Sequence, residues 1–377
     1  MAAAALSAVL VMVHLAAFAR APERCDFAGV FYVAAQMLRH GFRHRLFDVG
    51  MQRALQLQYL HAGGWFFYSP PVVAAIYWPV SFLGLYGGFA AWTALSLGIL
   101  FACVWLLRRT FRLEADATTL FCLALLFLPV HAHLLQGQVD LVVLFAICAS
   151  LALTTEGHEV LGGLALSLGL VKFQFVLPLV AILLARRMWR SAAGFCLGAG
   201  AFVLACCAVS GVGTMLQYPA IVSHGSTISG DEIALMMPNV RGLLSLFGLD
   251  AKGFLLVSVS LLLVLLAAFW WRSVEHGFAI SVVAAILVSY HSNPPALVLL
   301  LLPLALLAAK QSWKRCAAIL LACSAAVFLG HVFHVLALGA IPILGLGLVL
   351  GSLRDPSLPA LANLRHESAP AHRSEGA

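Results

Sequence analysis

The chain has 377 residues, of which 63% are hydrophobic and only 10% are charged, whereas a soluble domain has roughly 45–50% apolar and about 25% charged residues. This composition excludes an ordinary soluble enzyme, a disordered protein and a nucleic-acid-binding domain. The net charge of +7 comes from 22 Lys and Arg against 15 Asp and Glu. A thinly spread basic balance suits anionic lipid head groups or phosphate-bearing substrates. The sequence therefore predicts an all-α polytopic membrane protein.

Twelve apolar stretches are predicted as membrane spans, because a spanning helix needs about 20 mostly apolar residues. The predicted spans are 2–19, 70–84, 86–107, 117–135, 139–155, 160–186, 190–209, 253–271, 277–290, 296–309, 316–331 and 335–351. The stretch 160–186 contains Lys172 and Pro178. We interpret it as one kinked span, with two half-length helices as the alternative. The first span is interpreted as an uncleaved anchor, because it lacks the positive residues that begin a signal peptide.

The orientation follows from basic residues in short loops, which favour the cytoplasmic side. Residues 186–190 carry three arginines, and residues 310–315 carry two lysines and one arginine. With these loops inside, counting spans places both termini inside and places 20–69 and 210–252 outside. The same count places the three arginines of 108–112 outside, against the rule.

These spans predict one integral-membrane domain over residues 1–351. Its first part, 1–209, would contain seven spans and the outer loop 20–69, and 253–351 would add five spans after the second outer loop, 210–252. The polar tail 352–377 is predicted to be disordered on the cytoplasmic side.

The first outer loop contains two stretches with the apolar periodicity of a helix. They lie at about residues 27–38 and 46–59. Helices of this kind lie in the membrane interface rather than cross it.

Two ionisable residues stand out next to apolar sequence. Asp26 begins the first amphipathic stretch, where it is either a helix N-cap or a carboxylate at the outer membrane surface that acts on substrate. Lys172 lies near the middle of a predicted span. Ionisable residues at that depth usually face the bundle interior and carry function, here the binding of an anionic phosphate. The alternative is a lysine that extends to the interface.

Three further candidates lie in polar loops. Asn239 and Arg241 precede the eighth predicted span, and the guanidinium fork of arginine suits phosphate recognition. The alternative for Arg241 is an interfacial anchor. His291 lies between two short spans, where it could donate to a phosphate or act as acid or base, or could be an ordinary loop histidine.

The remaining polar segments have plain alternatives. Tyr68 begins a Tyr-Ser-Pro-Pro step that either lines a site or simply starts a helix. Residues 137–140 are interpreted as a tight turn on the inside, and the acids at 231–232 as solvated. No DxD or HExxH motif is present, so no metal or cofactor is predicted.

Taken together, these segments resemble glycosyltransferase family 87, a family of bacterial membrane enzymes that includes polyprenol-phosphate-mannose-dependent mannosyltransferases. The resemblance extends over most of the chain. The segments that carry it are 26–35, Gly41 with 46–48, 67–71, 137–140, Lys172, 239–242 and 290–292. The sequence departs from the family pattern after His291, where residues 293–296 contain no acid, and at Ser69 in the Tyr-Ser-Pro-Pro step.

The resemblance implies a fold of the GT-C superfamily, with about twelve spans and a long first outer loop that bears interfacial helices. It implies transfer of a hexose, mannose by default, from a polyprenyl-phosphate donor to a lipid-linked or cell-envelope glycan. The reaction would take place on the outer face of the bacterial inner membrane. The implied partners are the donor, a glycolipid or glycan acceptor and membrane lipids, without nucleic acid.

Members of the superfamily invert the anomeric centre, so the resemblance implies Asp26 as the general base. The implied substrate-binding residues are His291, Arg241, Lys172, Tyr68, Asn239 and Asp48. The alternatives are a polytopic transporter or lipid-phosphate flippase, and a non-catalytic subunit of envelope assembly.

Overall fold

The structure is a computed structural model, and its described parts are helical, without strands. They are residues 2–63, 65–228, 234–248, 253–255, 257–262, 273–310, 313–333 and 335–353. The acids at 231–232, the tail from 354 and most of the predicted span 253–271 lie outside the described residues.

The α-helices are α1 Ala2–Arg20, α2 Val33–Arg39, α3 Val49–Leu60, α4 Pro71–Ser81, α5 Gly84–Phe111, α6 Ala117–Ala124, α7 Leu128–Gln136, α8 Asp140–Thr155, α9 Glu159–Ser167, α10 Phe173–Ala185, α11 Trp189–Ser210, α12 Val212–Ile228, α13 Val240–Ser245, α14 Val274–Val288, α15 Leu301–Lys310, α16 Trp313–Val332 and α17 Ala340–Ser352. A π-helix covers Phe27–Tyr32. The 3₁₀ helices are Pro22–Arg24, Arg43–Arg45, Leu168–Lys172, Pro294–Leu300 and Leu336–Gly339.

Three helical stretches of the described chain are long and apolar enough to cross a membrane by length and composition. They are Gly84–Phe111, Glu159–Ala185 and Trp189–Ser210. The pair α6 and α7 would be a fourth span, bent by 76°. The apolar stretches of the other helices are shorter, with 10–17 residues. The total of twelve spans therefore stays a prediction.

Helix α8 connects two chemically different ends of the bundle. At its start, Asp140 lies 2.8 Å from Lys172 Nζ. Just after its last residue, Glu156 Oε1 lies 2.9 Å from Arg109 Nη2. We call these the Asp140 end and the Arg109 end.

Helix α5 runs from the Asp140 end to the Arg109 end. Near its start, Phe89 stacks on Phe18 of α1 with ring centroids 4.0 Å apart, and Trp92 Nε1 donates a hydrogen bond to Gln138 O over 3.3 Å. Its last turn carries Arg108 and Arg109. These arginines therefore lie at the end opposite to Asp140, which agrees with the preference of arginine for the cytoplasmic side. The predicted placement of 108–112 on the same side as 20–69 is wrong.

The cause of that error is the predicted span 70–84, which does not cross the bundle. Helix α4 has 11 residues, or about 16 Å, against a hydrocarbon core of about 30 Å. Near its end, the Tyr77 hydroxyl donates to Gly137 O over 2.5 Å, and Val80 O packs against Gly88 of α5. The chain thus enters α5 from the Asp140 end.

The predicted span 117–135 is broken rather than straight. It begins at the Arg109 end, where Arg108 Nε donates to Ala115 O over 2.8 Å. It ends at the Asp140 end, where Gln136 Oε1 accepts from the Asp26 backbone N–H over 2.9 Å. Pro129 lies in the first turn of α7, where its missing N–H costs no helical hydrogen bond. The two short helices together still connect the two ends.

The stretch 160–186 reverses direction at Lys172. Lys172 has φ −137° and ψ 72°, outside the helical region. A Cβ on Gly169 would lie 2.5 Å from Val176 Cγ2, although seven residues of a straight helix span about 10 Å. The chain therefore folds back here.

Helices α9 and α11 confirm this reversal, because they run side by side in the same direction. Gly194 packs on Val160 near the start of α9, and Gly198 packs on Ser167 at its end. Helix α10 must therefore return to the Arg109 end before α11 begins. The interpretation as one kinked span is wrong, and the two half-length helices are confirmed. The predicted module 1–209 thus contains two stretches that start and finish at the same end of the bundle: 70–84 at the Asp140 end and 160–186 at the Arg109 end.

The first outer loop is helical where its periodicity predicts it. The π-helix continues into α2, and α3 follows the 3₁₀ turn Arg43–Arg45. An aromatic cluster fixes this loop to the bundle: Phe27 packs edge-on against Phe89 and Tyr77, with centroids 5.4 Å and 5.9 Å away. Asp26 precedes this anchored segment directly.

Candidate functional site

Asp26 lies half-buried at the start of the π-helix. Its side chain caps no backbone N–H, so the interpretation as an N-cap is wrong. Instead, the Gln138 amide donates to Asp26 Oδ2. Loss of hydration in this setting raises the pKa of Asp26, while the Gln138 hydrogen bond and the charge of Lys172 partly offset that rise. A carboxyl group with a raised pKa and some solvent access is suited to accept a proton near neutral pH.

Asp140 forms a second carboxylate centre beside the first. Lys172 Nζ donates to both of its oxygens, over 2.8 Å and 3.0 Å. Asp140 is fully buried, and the Lys172 side chain is 14% exposed. His133 is also buried, with Nδ1 3.6 Å from Asp140 Oδ2, too long for a hydrogen bond.

Residues 137–140 begin with the predicted turn, with Gly137 at φ 61°, but their predicted placement on the side opposite to 20–69 is wrong. This segment lies beside Asp26, so it shares the side of the membrane on which the first outer loop lies. Sequence reasoning missed Gln138, Asp140 and His133 for this reason. The signal that could have found them is a carboxylate at the N-terminus of a span, opposite a mid-span lysine.

His291 and Arg241 join this group from the other half of the chain. Gln174, two residues after Lys172, donates weakly through its Nε2 to His291 O over 3.5 Å. The Arg241 guanidinium stacks 3.9 Å from the Tyr290 ring centroid, and its Nη1 donates to Tyr290 O over 3.2 Å.

The His291 ring is partly exposed, yet close protein atoms strip part of its hydration. That loss, together with the charges of Lys172 and Arg241, lowers the pKa of His291 to about 4. His291 is therefore neutral at pH 7, and it can donate one hydrogen bond without adding charge. The positive charge of the site comes from Lys172 and Arg241.

Asn239 is a structural support for Arg241 rather than a group that faces open space. It is fully buried. Its Oδ1 accepts from Gly242 N over 2.9 Å, and its Nδ2 donates to Ser289 O over 2.7 Å. These bonds fix α13 to the joint that carries His291.

The structure does not bring Asp48 or Tyr68 into the group. Asp48 caps α3 through Met51 N over 3.0 Å and pairs with Arg45 Nη2 over 2.6 Å. The hydrogen bond from Met51 and the Arg45 contact lower the pKa of Asp48. The Tyr68 hydroxyl is enclosed without a hydrogen-bond partner in the described chain, and the Tyr68 carbonyl accepts from Tyr218 over 3.2 Å.

Lys172 connects the group electrostatically, because it lies close enough to Asp26 and to His291 to shift both pKa values. Among the described residues, no cluster of three or more His, Cys, Asp or Glu side chains is arranged to hold a metal ion. In the described chain, the group thus contains one carboxylate without an ion-pair partner, Asp26, and one neutral hydrogen-bond donor, His291. It also contains two cations that can bind an anion, Lys172 and Arg241.

A helical membrane bundle with such a group at one end has the features of an integral-membrane transferase. The profile of glycosyltransferase family 87 matches residues 66–292, more than half of the chain. The chain belongs to glycosyltransferase family 87, and it is a membrane glycosyltransferase. No curated protein and no solved structure matches it. The matched region contains Asp140, Lys172, Arg241 and His291 but not Asp26.

Proposed function

We propose that this glycosyltransferase takes a hexose, mannose by default, from a polyprenyl-phosphate donor. The acceptor is a lipid-linked or cell-envelope glycan on the outer face of the bacterial inner membrane. The observation that carries this proposal is the position of Asp26, a carboxylate without an ion-pair partner in the described chain. It lies at the same end of the bundle as the cations Lys172 and Arg241, opposite the arginine-rich loops.

Asp26 is the better general base of the two carboxylates. Asp140 already binds Lys172 through both oxygens, so its lone pairs are engaged. In the described part of the chain, Asp26 has no cation within ion-pair distance and accepts only an amide hydrogen bond. A carboxylate of this kind keeps an oxygen available for an acceptor hydroxyl.

The reaction is a single in-line displacement at the anomeric carbon. The acceptor oxygen forms the new bond to that carbon while the bond to the phosphate oxygen breaks, and Asp26 takes the acceptor proton. Polyprenyl phosphate leaves as an anion. Lys172 and Arg241 bind its growing charge, and His291 donates a hydrogen bond, because fixed donors in a water-poor site stabilise such charge strongly.

A lipid donor is supported by the apolar surface beside the site. The corner between α4 and α5 exposes Trp78, Phe82, Leu83 and Tyr86, which are 44%, 52%, 61% and 49% exposed. These side chains give the Asp140 end an apolar exterior against which a polyprenyl chain can lie.

The test is sugar transfer in nanodiscs with synthetic polyprenyl-phosphate mannose and a host membrane lipid extract. Wild type should transfer mannose, and Asp26→Asn should lose about 10²–10⁴-fold in rate. The matched control is Asp116→Asn, an exposed N-cap of α6 that bonds Thr118 N and Thr119 N. Asparagine caps helices about as well as aspartate, so this control should keep its activity.

Failure of wild type with mannose leads to the same assay with other polyprenyl-phosphate hexoses. If no donor supports transfer while the protein moves lipid phosphates across vesicles, the flippase alternative replaces this proposal. Full activity in Asp26→Asn would instead overturn the assignment of the base.

A further inference from the structure

A cavity of about 240 Å³ opens in the first outer loop, on the segment that carries Asp26. Its lining consists of Glu23, Arg24, Gly29, Gln56, Leu60, Ala62, Gly63 and Trp65. Two of these residues lie just before Asp26 in sequence, and Gly29 lies three residues after it. The cavity is thus part of the same segment as the proposed base.

The walls of this cavity are fixed from inside. The buried Gln56 side chain donates to Gly29 O over 2.8 Å and also to Trp65 O. It thereby joins the π-helix to the chain after α3. The Trp65 side chain lies on the bare backbone of Gly29, since a Cβ there would contact Trp65 Cδ1 at 3.6 Å. A π-helical turn is often found at functional sites.

The chemistry of the lining matches a neutral sugar ring. Trp65 is 51% exposed, so part of its indole surface is free to stack on the C–H face of a pyranose. Arg24 Nε lies 4.0 Å from Glu23 Oε1. The two side chains offer a guanidinium donor and a carboxylate acceptor for neighbouring hydroxyl groups of a sugar. Their charges balance each other, which disfavours a lone phosphate.

We propose that this cavity, which we call the Trp65 pocket, binds a sugar ring of the acceptor glycan. This inference rests on the proposed function and deepens it. The donor phosphate is an anion and would bind the cations Lys172 and Arg241. The Trp65 pocket has one positive and one negative side chain, so it suits the neutral sugar ring of the acceptor instead. Binding there positions the acceptor beside Asp26.

The experiment measures KM for acceptor and for donor separately, in wild type, Trp65→Ala and Trp65→Phe. Trp65→Ala should raise the acceptor KM about tenfold, equivalent to about 1.4 kcal/mol, with the donor KM unchanged. Trp65→Phe retains an aromatic face and should fall between. The matched control is Trp189→Ala, which removes a tryptophan that is 62% exposed at the start of α11, at the Arg109 end.

A second measurement does not depend on transfer. Saturation-transfer NMR detects binding of neutral disaccharides of mannose, glucose and galactose, with inorganic phosphate as the contrasting probe. Wild type should bind at least one disaccharide, and Trp65→Ala should lose that signal.

The outcomes separate this inference from the proposed function. Disaccharide binding that depends on Trp65, without any transfer, supports the pocket and counts against the proposed donor chemistry. Transfer with an acceptor KM that Trp65→Ala leaves unchanged overturns the pocket alone. A change only in thermal stability identifies Trp65 as an interfacial anchor and also overturns the pocket.

Discussion

The two ends of α8 each carry an ion pair, and the pairs differ in their surroundings. At the Arg109 end, the side chains of Arg109 and Glu156 are 61% and 42% exposed. At the Asp140 end, those of Lys172 and Asp140 are 14% and 0% exposed. Exposed basic residues in loops set the orientation of the chain at little energetic cost. Buried charges carry a large desolvation penalty, so their presence at the Asp140 end supports the proposal that the reaction takes place there.

The largest effect is expected from removing one partner of the buried pair. Lys172→Met leaves Asp140 buried without its cation, which should destabilise the fold by about 3–5 kcal/mol and abolish transfer. Unfolding in detergent and the transfer assay measure the two losses. The double variant Lys172→Met with Asp140→Asn should recover much of the stability and none of the activity. If Lys172→Met is as stable as wild type, the buried pair at the Asp140 end does not contribute more to stability than the exposed pair at the Arg109 end.

A second test concerns the path that brings Lys172 to the Asp140 end. A methyl group on Gly163 would overlap Ser191 O and lie 2.7 Å from Phe195 N. Overpacking of this kind costs about 1–3 kcal/mol, so Gly163→Ala should lower the unfolding midpoint.

The matched control for that test is Gly200→Ala in the partner helix α11, where nothing lies within 4 Å of the added methyl group. Because alanine favours helix over glycine by about 1 kcal/mol, this variant should be at least as stable as wild type. Equal loss in both variants would argue against the close packing of α9 on α11.

The pH dependence of transfer tests the different roles assigned to the two carboxylates, Asp26 and Asp140. Asp26 must be deprotonated to act as base, so the rate should fall as the pH drops through its pKa, which burial raises. The negative charge of Asp140 adds to that rise. Asp140→Asn should therefore move the acidic limb of kcat/KM to lower pH. A limb that moves to higher pH would contradict the assignment of Asp26.

The smallest effect is expected at the opposite end. Arg109→Ala breaks an exposed pair, and such pairs contribute about 0–1 kcal/mol. Transfer rates should match wild type, and a double-mutant cycle with Glu156→Gln gives the pair's contribution. A loss of activity comparable to that of Lys172→Met would show that the two ends do not differ in function.

The amino-acid pattern was sufficient for the helical class, the membrane setting, the helices of the first outer loop and four residues of the group. Asp26, Lys172, Arg241 and His291 are ionisable residues beside apolar sequence, and the structure brings them together. Hydropathy fails at 70–84 and 160–186, because it records only whether a segment is apolar. It does not record whether the segment crosses, lies flat or turns back.

That failure explains the residues that were missed. A segment wrongly counted as a span changes the side assigned to the loops that follow it. Counting 70–84 in this way separated residues 137–140 from Asp26. The contact of Asn239 with the joint before His291 was also out of reach, because the hydrogen bond from its Nδ2 to Ser289 O joins residues 50 positions apart. Asp48 shows the opposite case: its contacts are local, and its cap at the start of α3 could have been read from the sequence.

The reversal at Lys172 has a consequence for biogenesis. The chain between Glu159 and Ala185 folds as a loop, with both of its ends at the Arg109 end of the bundle and a charged residue, Lys172, at its tip. A lysine buried there without a counterion would carry a large desolvation penalty. Helix α8 leaves the ribosome first, so the Asp140 carboxylate is already in the bilayer when Lys172 arrives. The order of the two helices along the chain thus supplies the counterion before the charge that needs it.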